Sequence, residues 1–413
     1  MNNHTLDTCL CCGSSQLKTV LDLGAQPLAN SYTRTPDEVL PTYPLAIKVC
    51  GQCWNAQQSY CVDRAEIFSN YSYVSGTSGT LQRYFEWFAT RLAAALPAGA
   101  SMLEIAANDG SFLKRAQAHG LDCLGVDPAQ NIVEGAQAAG LPIVCGFWPG
   151  AAAEIEQKFD SIVCMNVVAH VDDPLSFVAA CRDRLTPGGA ILIQPSQARI
   201  FGNGEFDTCY HEHISFFNTR SIAALADRLG LALYGTALVN IHGDSPLFIL
   251  GHRDAPPPAA LLTTFHEGEF AIAEQLEEYD ERIKLFDWAT YDAFAQKTRA
   301  VLDDLTQLVR SYRERGYEIV CVGAAAKAMT VINASGIRPD RFLDESPLKI
   351  GSYAPGSGAP VESLAQCAHL DRPALFVVTA WNFREELVAK MKRLGAPAGS
   401  VFYSYFPTPN FID

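Results

Sequence analysis

Between Ser101 and Gln194 short apolar runs alternate with helix-like stretches, and this alternation constrains the fold more than any other feature of the 413-residue chain. Ser101–Ile105, Leu121–Val126, Ile143–Cys145, Ser161–Met165 and Ala190–Gln194 read as strands. Helical patterns follow Gly110 and Pro128 and cover Ala151–Lys158 and Pro174–Leu185. Strands separated by helices demand right-handed crossovers, hence a parallel sheet covered on both faces. Upstream, Leu81, Tyr84, Phe85, Phe88, Leu92 and Leu96 recur at helical spacing, and Pro97-Ala98-Gly99 ends that pattern. Ala255-Pro256-Pro257-Pro258 marks a linker, and the stretch from about Ala259 to Arg315 reads as helical, its halves able to pack as a hairpin. A second α/β unit opens at Glu318–Val322. The expected division is 1–68, 69–254 and 255–413.

The first segment carries a different signature. Five of the thirteen cysteines lie within the first 53 residues, four of them as Cys9-x-x-Cys12 and Cys50-x-x-Cys53 flanking strand-like runs. Two such turns present four thiolates, which suits one tetrahedral zinc with no open coordination position. Such a zinc holds the fold and performs no chemistry. Cys11 is expected to be a spectator. Most of the eight scattered cysteines read as small core residues.

Composition narrows the function classes. With 48% hydrophobic and 18% charged residues the chain can bury a core in each unit, and no largely disordered chain has this balance. Asp and Glu outnumber Lys and Arg 45 to 31, a formal charge of -14, which disfavours a nucleic-acid partner. No apolar run approaches the roughly 20 residues of a membrane span, and the polar start is unlike a signal peptide. The expected location is cytoplasmic, as a monomer or small homo-oligomer with a small-molecule substrate.

The stretch Met102–Ser111 is an apolar strand, a small-residue turn and a helix start, a layout that lets a ligand approach backbone amides at a helix N-terminus. Asp127 ends the next strand about seventeen residues after Gly110, near the spacing of a ribose-binding acid. The pair points to an adenosine-containing cofactor. G-x-G-x-x-G is absent, which favours S-adenosylmethionine over NAD, its amino-acid tail facing Glu104, Asn108, Asp109 and Gly110. The corresponding turn of the last unit, Val320–Lys327, shows no acid at the matching distance, and that unit is expected to be structural or to cover the substrate.

Asp207–Phe217 is the densest reactive segment, with Tyr210, His211, Glu212 and His213 in succession. An extended chain would put His211 and His213 on one face and Tyr210 and Glu212 on the other. A tight turn would gather Tyr210, Glu212 and His213 around one pocket. Imidazole is the common general base near neutral pH, and a carboxylate neighbour fixes its tautomer. A His-Glu-His metal site lacks the helical i, i+4 spacing.

Three segments together resemble one family, the bacterial sugar C-methyltransferases that act on nucleotide-linked 4-keto deoxysugars. The resemblance covers essentially the whole chain. Its pieces are the two cysteine pairs with Leu21-Asp22-Leu23-Gly24 and Pro27-Leu28-Ala29-Asn30; Glu104-Ile105 with Asn108-Asp109-Gly110; Asn166-Val167 with His170-Val171; and Tyr210-His211-Glu212-His213. In the last unit Gly323–Lys327, Asp344–Lys349 and Ala380–Phe383 match. The resemblance implies an N-terminal zinc-binding β domain, a class I (Rossmann-like) methyltransferase core and a C-terminal Rossmann-like α/β domain. It also implies S-adenosylmethionine, with Asn166 at the cofactor, and makes Tyr210, Glu212 and His213 catalytic.

The expected chemistry has His213, oriented by Glu212, remove the proton alpha to a ketone of a nucleotide sugar, with Tyr210 near the developing oxyanion. His170 and Tyr73 are expected at the substrate, with Tyr71 beside the same cleft. The sequence departs from the family at Ala106, Gln194, Ala328 and His242–Leu247, which stands where His-Gly-Gly-Ser-Leu-Arg is usual. The changes on the substrate side leave room for a different carbon acid, or for methylation of oxygen or nitrogen. Two other classes compete: a zinc ribbon that docks a protein, and an oxidoreductase that would bind NADH.

Overall fold

The computed structural model describes residues 3–68 and 78–412. Tyr71 and Tyr73, expected at the substrate, lie outside the described residues. Among the described residues no helix is long and apolar enough to cross a membrane.

Seven strands form the central sheet in the order Leu231–Val239, Ser245–His252, Leu185–Gln194, Phe159–Met165, Ser101–Ile105, Asp122–Asp127, Ile143–Cys145. From Leu185–Gln194 to Ile143–Cys145 neighbours are parallel, while Ser245–His252 runs antiparallel to both of its neighbours. The strand order reverses beside Ser101–Ile105, and ligands of open α/β sheets bind at such a reversal, off the carboxyl ends of the strands. Helix Gly79–Ala95 starts where the Ser78 hydroxyl accepts the Leu81 amide, and it buries Leu81, Tyr84, Phe85, Phe88 and Leu92 as its periodicity requires.

Two helical expectations change. Ala151–Lys158 forms only one 3-10 turn, Gly150–Glu154, and ends where Ile155 is extended with its side chain buried. The stretch after the proline linker is not a hairpin of two halves: it holds the short helices Ala259–Thr263 and Leu276–Arg282 and the 27-residue helix Trp288–Glu314. Leu261, Phe265 and Phe270 bury themselves against the Gly79–Ala95 side of the central sheet. Phe265 and Phe88 have ring centroids 4.5 Å apart. That apolar burial takes the place of contact between two helical halves.

The last unit repeats the central plan. Its sheet runs Val361–Ser363, Arg341–Asp344, Glu318–Val322, Ala374–Val378, Val401–Ser404, Asn410–Ile412, parallel except for the last strand. The first unit is a small antiparallel sheet of Leu17–Gln26, Tyr43–Cys50 and Ala56–Gln58. Its fourth strand, Ser215–Phe216, comes from far along the chain, pairing Ser215 with Gln57 and Phe216 with Ala56. The reactive segment thus ends as a strand of the first domain's sheet.

Candidate active site

The four N-terminal sulfurs lie within 4.8 Å of one another, with Cys9 and Cys53 3.4 Å apart and Cys12 and Cys50 3.5 Å apart. Four thiolates about 2.3 Å from one ion sit about 3.8 Å from each other in a tetrahedron, so the gathered set suits one zinc. The two turns match locally: the residue after each second cysteine, Gly13 at φ 78° and Trp54 at φ 62°, is left-handed. The Gly13 and Trp54 amides donate to the Cys9 and Cys50 carbonyls. Cys11 is fully buried and outside the cluster, as expected of a spectator.

At the sheet reversal the chain turns sharply after Ile105. Ala106, Asn108 and Gly110 all have positive φ, at 64°, 51° and 72°. The backbone conformation of Gly110 calls for glycine, and a Cβ there would also have to displace Leu141 Cδ1, 2.4 Å away. Two ordinary residues held left-handed in one turn are the kind of backbone that a ligand loop stores. Asp127 fixes this loop: one carboxylate oxygen accepts the Asn108 amide at 2.8 Å and the other the Ala129 amide at 2.9 Å. Each oxygen retains a second lone pair.

Two buried acceptors near the loop lack partners. Glu104 Oε2 and, at the end of the neighbouring strand, Asn166 Oδ1 receive no hydrogen bond. Burial and the nearby Asp127 and Asp109 push the Glu104 carboxyl well above its ordinary range. A ligand bearing an ammonium and hydroxyls would satisfy these acceptors, and S-adenosylmethionine carries both, so the residues fit that cofactor. Glu104→Gln is expected to weaken S-adenosylhomocysteine binding about 10- to 100-fold, the cost of one charged hydrogen bond. Calorimetric titration of the two proteins checks this.

The reactive segment is a turn, with the His213 amide donating to the Tyr210 carbonyl at 2.9 Å. This brings residues 210 and 213 together. His213 Nδ1 lies 2.7 Å from the Thr208 carbonyl, which can only accept, so Nδ1 carries the proton. In a neutral ring Nε2 is then an acceptor, and the Tyr210 hydroxyl, 3.1 Å away, donates to it. Burial and the adjacent His170 hold His213 well below its usual pKa, favouring the neutral form.

Glu212 does not orient His213. The turn sends its carboxylate toward the first domain, where Oε1 accepts Asn30 Nδ2 at 2.6 Å and the Lys349 charge is felt. The Thr208 carbonyl does the orienting instead. His211 also points away, its Nε2 3.2 Å from the Tyr43 carbonyl. His170 closes the other side, donating from Nδ1 to the Glu212 carbonyl at 2.6 Å, its ring centroid 5.0 Å from that of His213.

Sequence reasoning missed Gln58. Its amide nitrogen donates to both the Tyr210 and His213 carbonyls, each at 3.3 Å, while the Gln58 main-chain amide donates to Ile214. A lone glutamine in a short strand carries no motif. Only the pairing of Ser215–Phe216 with Ala56–Gln58 shows that the zinc-bearing sheet holds the reactive turn.

The last unit also differs from expectation. The acid that was absent by spacing is Asp344, whose oxygens accept the Ala324 amide at 2.6 Å and the Ser346 amide at 2.7 Å, repeating the Asp127 pattern. The Ala324 carbonyl is in turn bonded by Tyr32 of the first domain and, at 2.6 Å, by Lys349. Among the departures, Asp244 is paired with Arg199, which also meets Glu274 at 3.2 Å. Gln194 accepts the Tyr84 hydroxyl at 2.7 Å.

Three family models match in this order: a zinc binding domain at 9–68, a methyltransferase domain at 79–235 and a C-methyltransferase C-terminal domain at 264–407. The C-methyltransferase NovU of Streptomyces niveus is 28% identical over 99% of this chain and 97% of its own length. The three models together follow the chain from its zinc-binding segment to its C-terminal unit, and the relative matched over nearly the full length is a C-methyltransferase. This chain is an S-adenosylmethionine-dependent methyltransferase with a zinc-binding N-terminal domain. A ubiquinone biosynthesis O-methyltransferase of Chromobacterium violaceum is 33% identical over 33% of this chain and 66% of its own. Among solved structures, magnesium protoporphyrin IX methyltransferase of Synechocystis PCC 6803 with bound S-adenosylhomocysteine covers 46% of this chain and 93% of its own. The identity is 13% and the TM-score 0.34.

The methyltransferase is expected to keep its full rate at saturating substrate below pH 6.5. A depressed His213 remains unprotonated there, and activity falls only as pH drops through that lowered value. A pH profile of kcat reads this directly, and an acid limb centred above pH 7 would contradict it.

Proposed function

We propose that the enzyme methylates the carbon alpha to the ketone of a nucleotide-linked 4-keto deoxysugar. The observation that carries this reading is the Tyr210–His213–Thr208 chain, a neutral imidazole with a fixed tautomer and a phenol donating to its basic nitrogen. Such a pair takes a weakly acidic proton without bearing charge in its resting state. The Tyr210 oxygen receives the carbon-bound proton as its own passes to His213 Nε2, and the Thr208 carbonyl steadies the imidazolium that forms. Deprotonation before transfer is what a carbon acid needs and what an already nucleophilic hydroxyl or amine needs far less.

Glu104, Asn108, Asp109, Gly110, Asp127 and Asn166 would hold S-adenosylmethionine, which supplies an electrophilic methyl group when bound. Holding both reactants in one pocket turns a bimolecular encounter into an aligned one. His170 sits against His213 and is assigned to the substrate, as is Tyr73. The boundaries 1–68, 69–254 and 255–413 remain our division, with residues 261–279 packed on the central sheet. The reading extends to a cytoplasmic enzyme of deoxysugar biosynthesis. Calorimetry with S-adenosylmethionine and S-adenosylhomocysteine, with zinc measured on the same sample, tests the cofactor assignment, and NADH serves as the negative control. Micromolar binding with one zinc per chain is expected, followed by turnover of a 4-keto nucleotide sugar; binding of NADH alone would overturn the reading.

A further inference from the structure

The titratable groups around the base share a property that a carbanion mechanism cannot leave unbalanced. Burial holds His170, His213 and His242 all below their usual pKa, so the three rings favour neutrality. Removing a proton from carbon creates negative charge on the ketone oxygen, and in a desolvated pocket that charge needs a cation or strong donors. The turn that carries Tyr210 and His213 supplies no cation.

Lys349 is felt at Glu212 and Lys327 at His213, both from other elements, and Arg199 precedes the reactive segment in sequence. Arg199 is committed to Asp244 and Glu274. Lys349 is committed to the Ala324 carbonyl and lies in the field of Asp344 and Glu212. Lys327, in the first turn of helix Ala326–Ser335, forms no ion pair with a carboxylate among the described residues. Its ammonium sits 4.5 Å from the centroid of the Trp381 ring. Trp381 Nε1 donates at 2.6 Å to Asp207, which is 1% exposed and also accepts the Tyr405 hydroxyl at 3.0 Å.

Asp207 precedes Thr208, the residue whose carbonyl orients His213. One continuous set of contacts therefore runs from Lys327 through Trp381 and Asp207 to the base. Asp207 Oδ1 and the neighbouring Glu205 Oε2 are buried without partners. Both carboxylates feel the Lys327 charge, as do His213 and His242. The two carboxylates stabilise an ammonium beside the turn without using up its N–H donors in a direct pair.

We propose that Lys327, delivered by the C-terminal domain, is the catalytic cation that meets the enolate oxygen as the Tyr210–His213 pair removes the alpha proton. The inference rests on the carbon-acid reading above. In the step, the C–H electron pair becomes the carbon–carbon π bond of the enolate and the carbonyl π pair moves onto oxygen. The proton ends on the Tyr210–His213 pair. Lys327 keeps its protons and contributes charge and a hydrogen bond. Trp381 and Asp207 are positioning residues for it.

The test uses the full-length zinc-loaded enzyme with S-adenosylhomocysteine bound and thymidine diphosphate-4-keto-6-deoxyglucose as probe. Deuterium uptake from D2O at the carbons flanking the ketone is followed by proton NMR. Lys327→Met is expected to slow uptake at saturating sugar about 100-fold or more, the cost of losing one oxyanion partner. Lys327→Arg is expected to recover part of it, and both variants should bind S-adenosylhomocysteine like the wild type. Uptake by Lys327→Met within twofold of wild type overturns the proposal, as does a rise in KM with an unchanged saturated rate, which would make Lys327 a ground-state binding residue. Wild-type enzyme giving no uptake above the enzyme-free rate overturns the carbon-acid reading and, with it, the role given to Lys327.

Discussion

Asparagine in place of His213 is expected to slow methyl transfer by about 10²–10⁴-fold, the range carried by a positioned general base, while S-adenosylhomocysteine affinity stays unchanged. Asparagine can still donate to the Thr208 carbonyl and approximates the imidazole in size, so the turn should survive. It offers no basic nitrogen to the Tyr210 hydroxyl, 3.1 Å from Nε2 in the native enzyme. Cofactor binding is expected to be spared because Glu104, Asn108 and Asp127, the residues proposed to hold it, belong to another loop, closed by its own hydrogen bonds. Single-turnover rates and calorimetry on the same preparation separate the two effects. Retention of more than a tenth of the native rate would remove His213 from the base role.

Loss of zinc should be as damaging, although the metal takes no part in the chemistry. Replacing Cys53 by serine removes one of four thiolates from a closed site, and apparent zinc affinities of such sites are of order 10–16 kcal/mol in small peptides. Besides the metal, the two cysteine turns are joined by Gln57, which bonds the Leu10 amide and the Thr8 carbonyl. Its sheet is also the platform of the active site: Gln58 binds the carbonyls of Tyr210 and His213, Tyr43 accepts His211, and Asn30 holds Glu212. The expected outcome is less than one zinc per chain, a lowered melting temperature and loss of turnover, read by metal analysis, calorimetry and activity on one sample. Zinc-free Cys53→Ser with native turnover would show that the sheet does not position the turn.

Much of this was legible in the residues because local rules and global fold agree. The strand–helix alternation from Ser101 to Gln194 gives the parallel sheet, since each apolar run has one way to be buried. The cysteine pairs declare themselves by spacing, and the Glu104–Gly110 loop by small residues where a ligand would approach. What was hidden depends on contacts between distant segments. Glu212 looks like the partner of His213 because the two are adjacent in sequence, but a turn pairs i with i+3, and the carboxylate finds Asn30 instead. Asp344 was passed over because its loop lacks the sequence of the first, although its carboxylate makes the same pair of amide contacts as Asp127. Gln58 carries no motif, and Lys327 closes the matched stretch Gly323–Lys327 without anything in sequence tying it to the reactive turn of another domain.

The destination of the methyl group can be read directly. S-adenosylmethionine carrying a ¹³C-labelled methyl, incubated with the enzyme and thymidine diphosphate-4-keto-6-deoxyglucose, gives a product whose new methyl can be assigned by carbon–proton correlation NMR. A carbon-attached methyl on the position next to the ketone is expected, with loss of the proton that stood there. A methyl on a hydroxyl oxygen, with both alpha protons retained, would contradict carbon methylation.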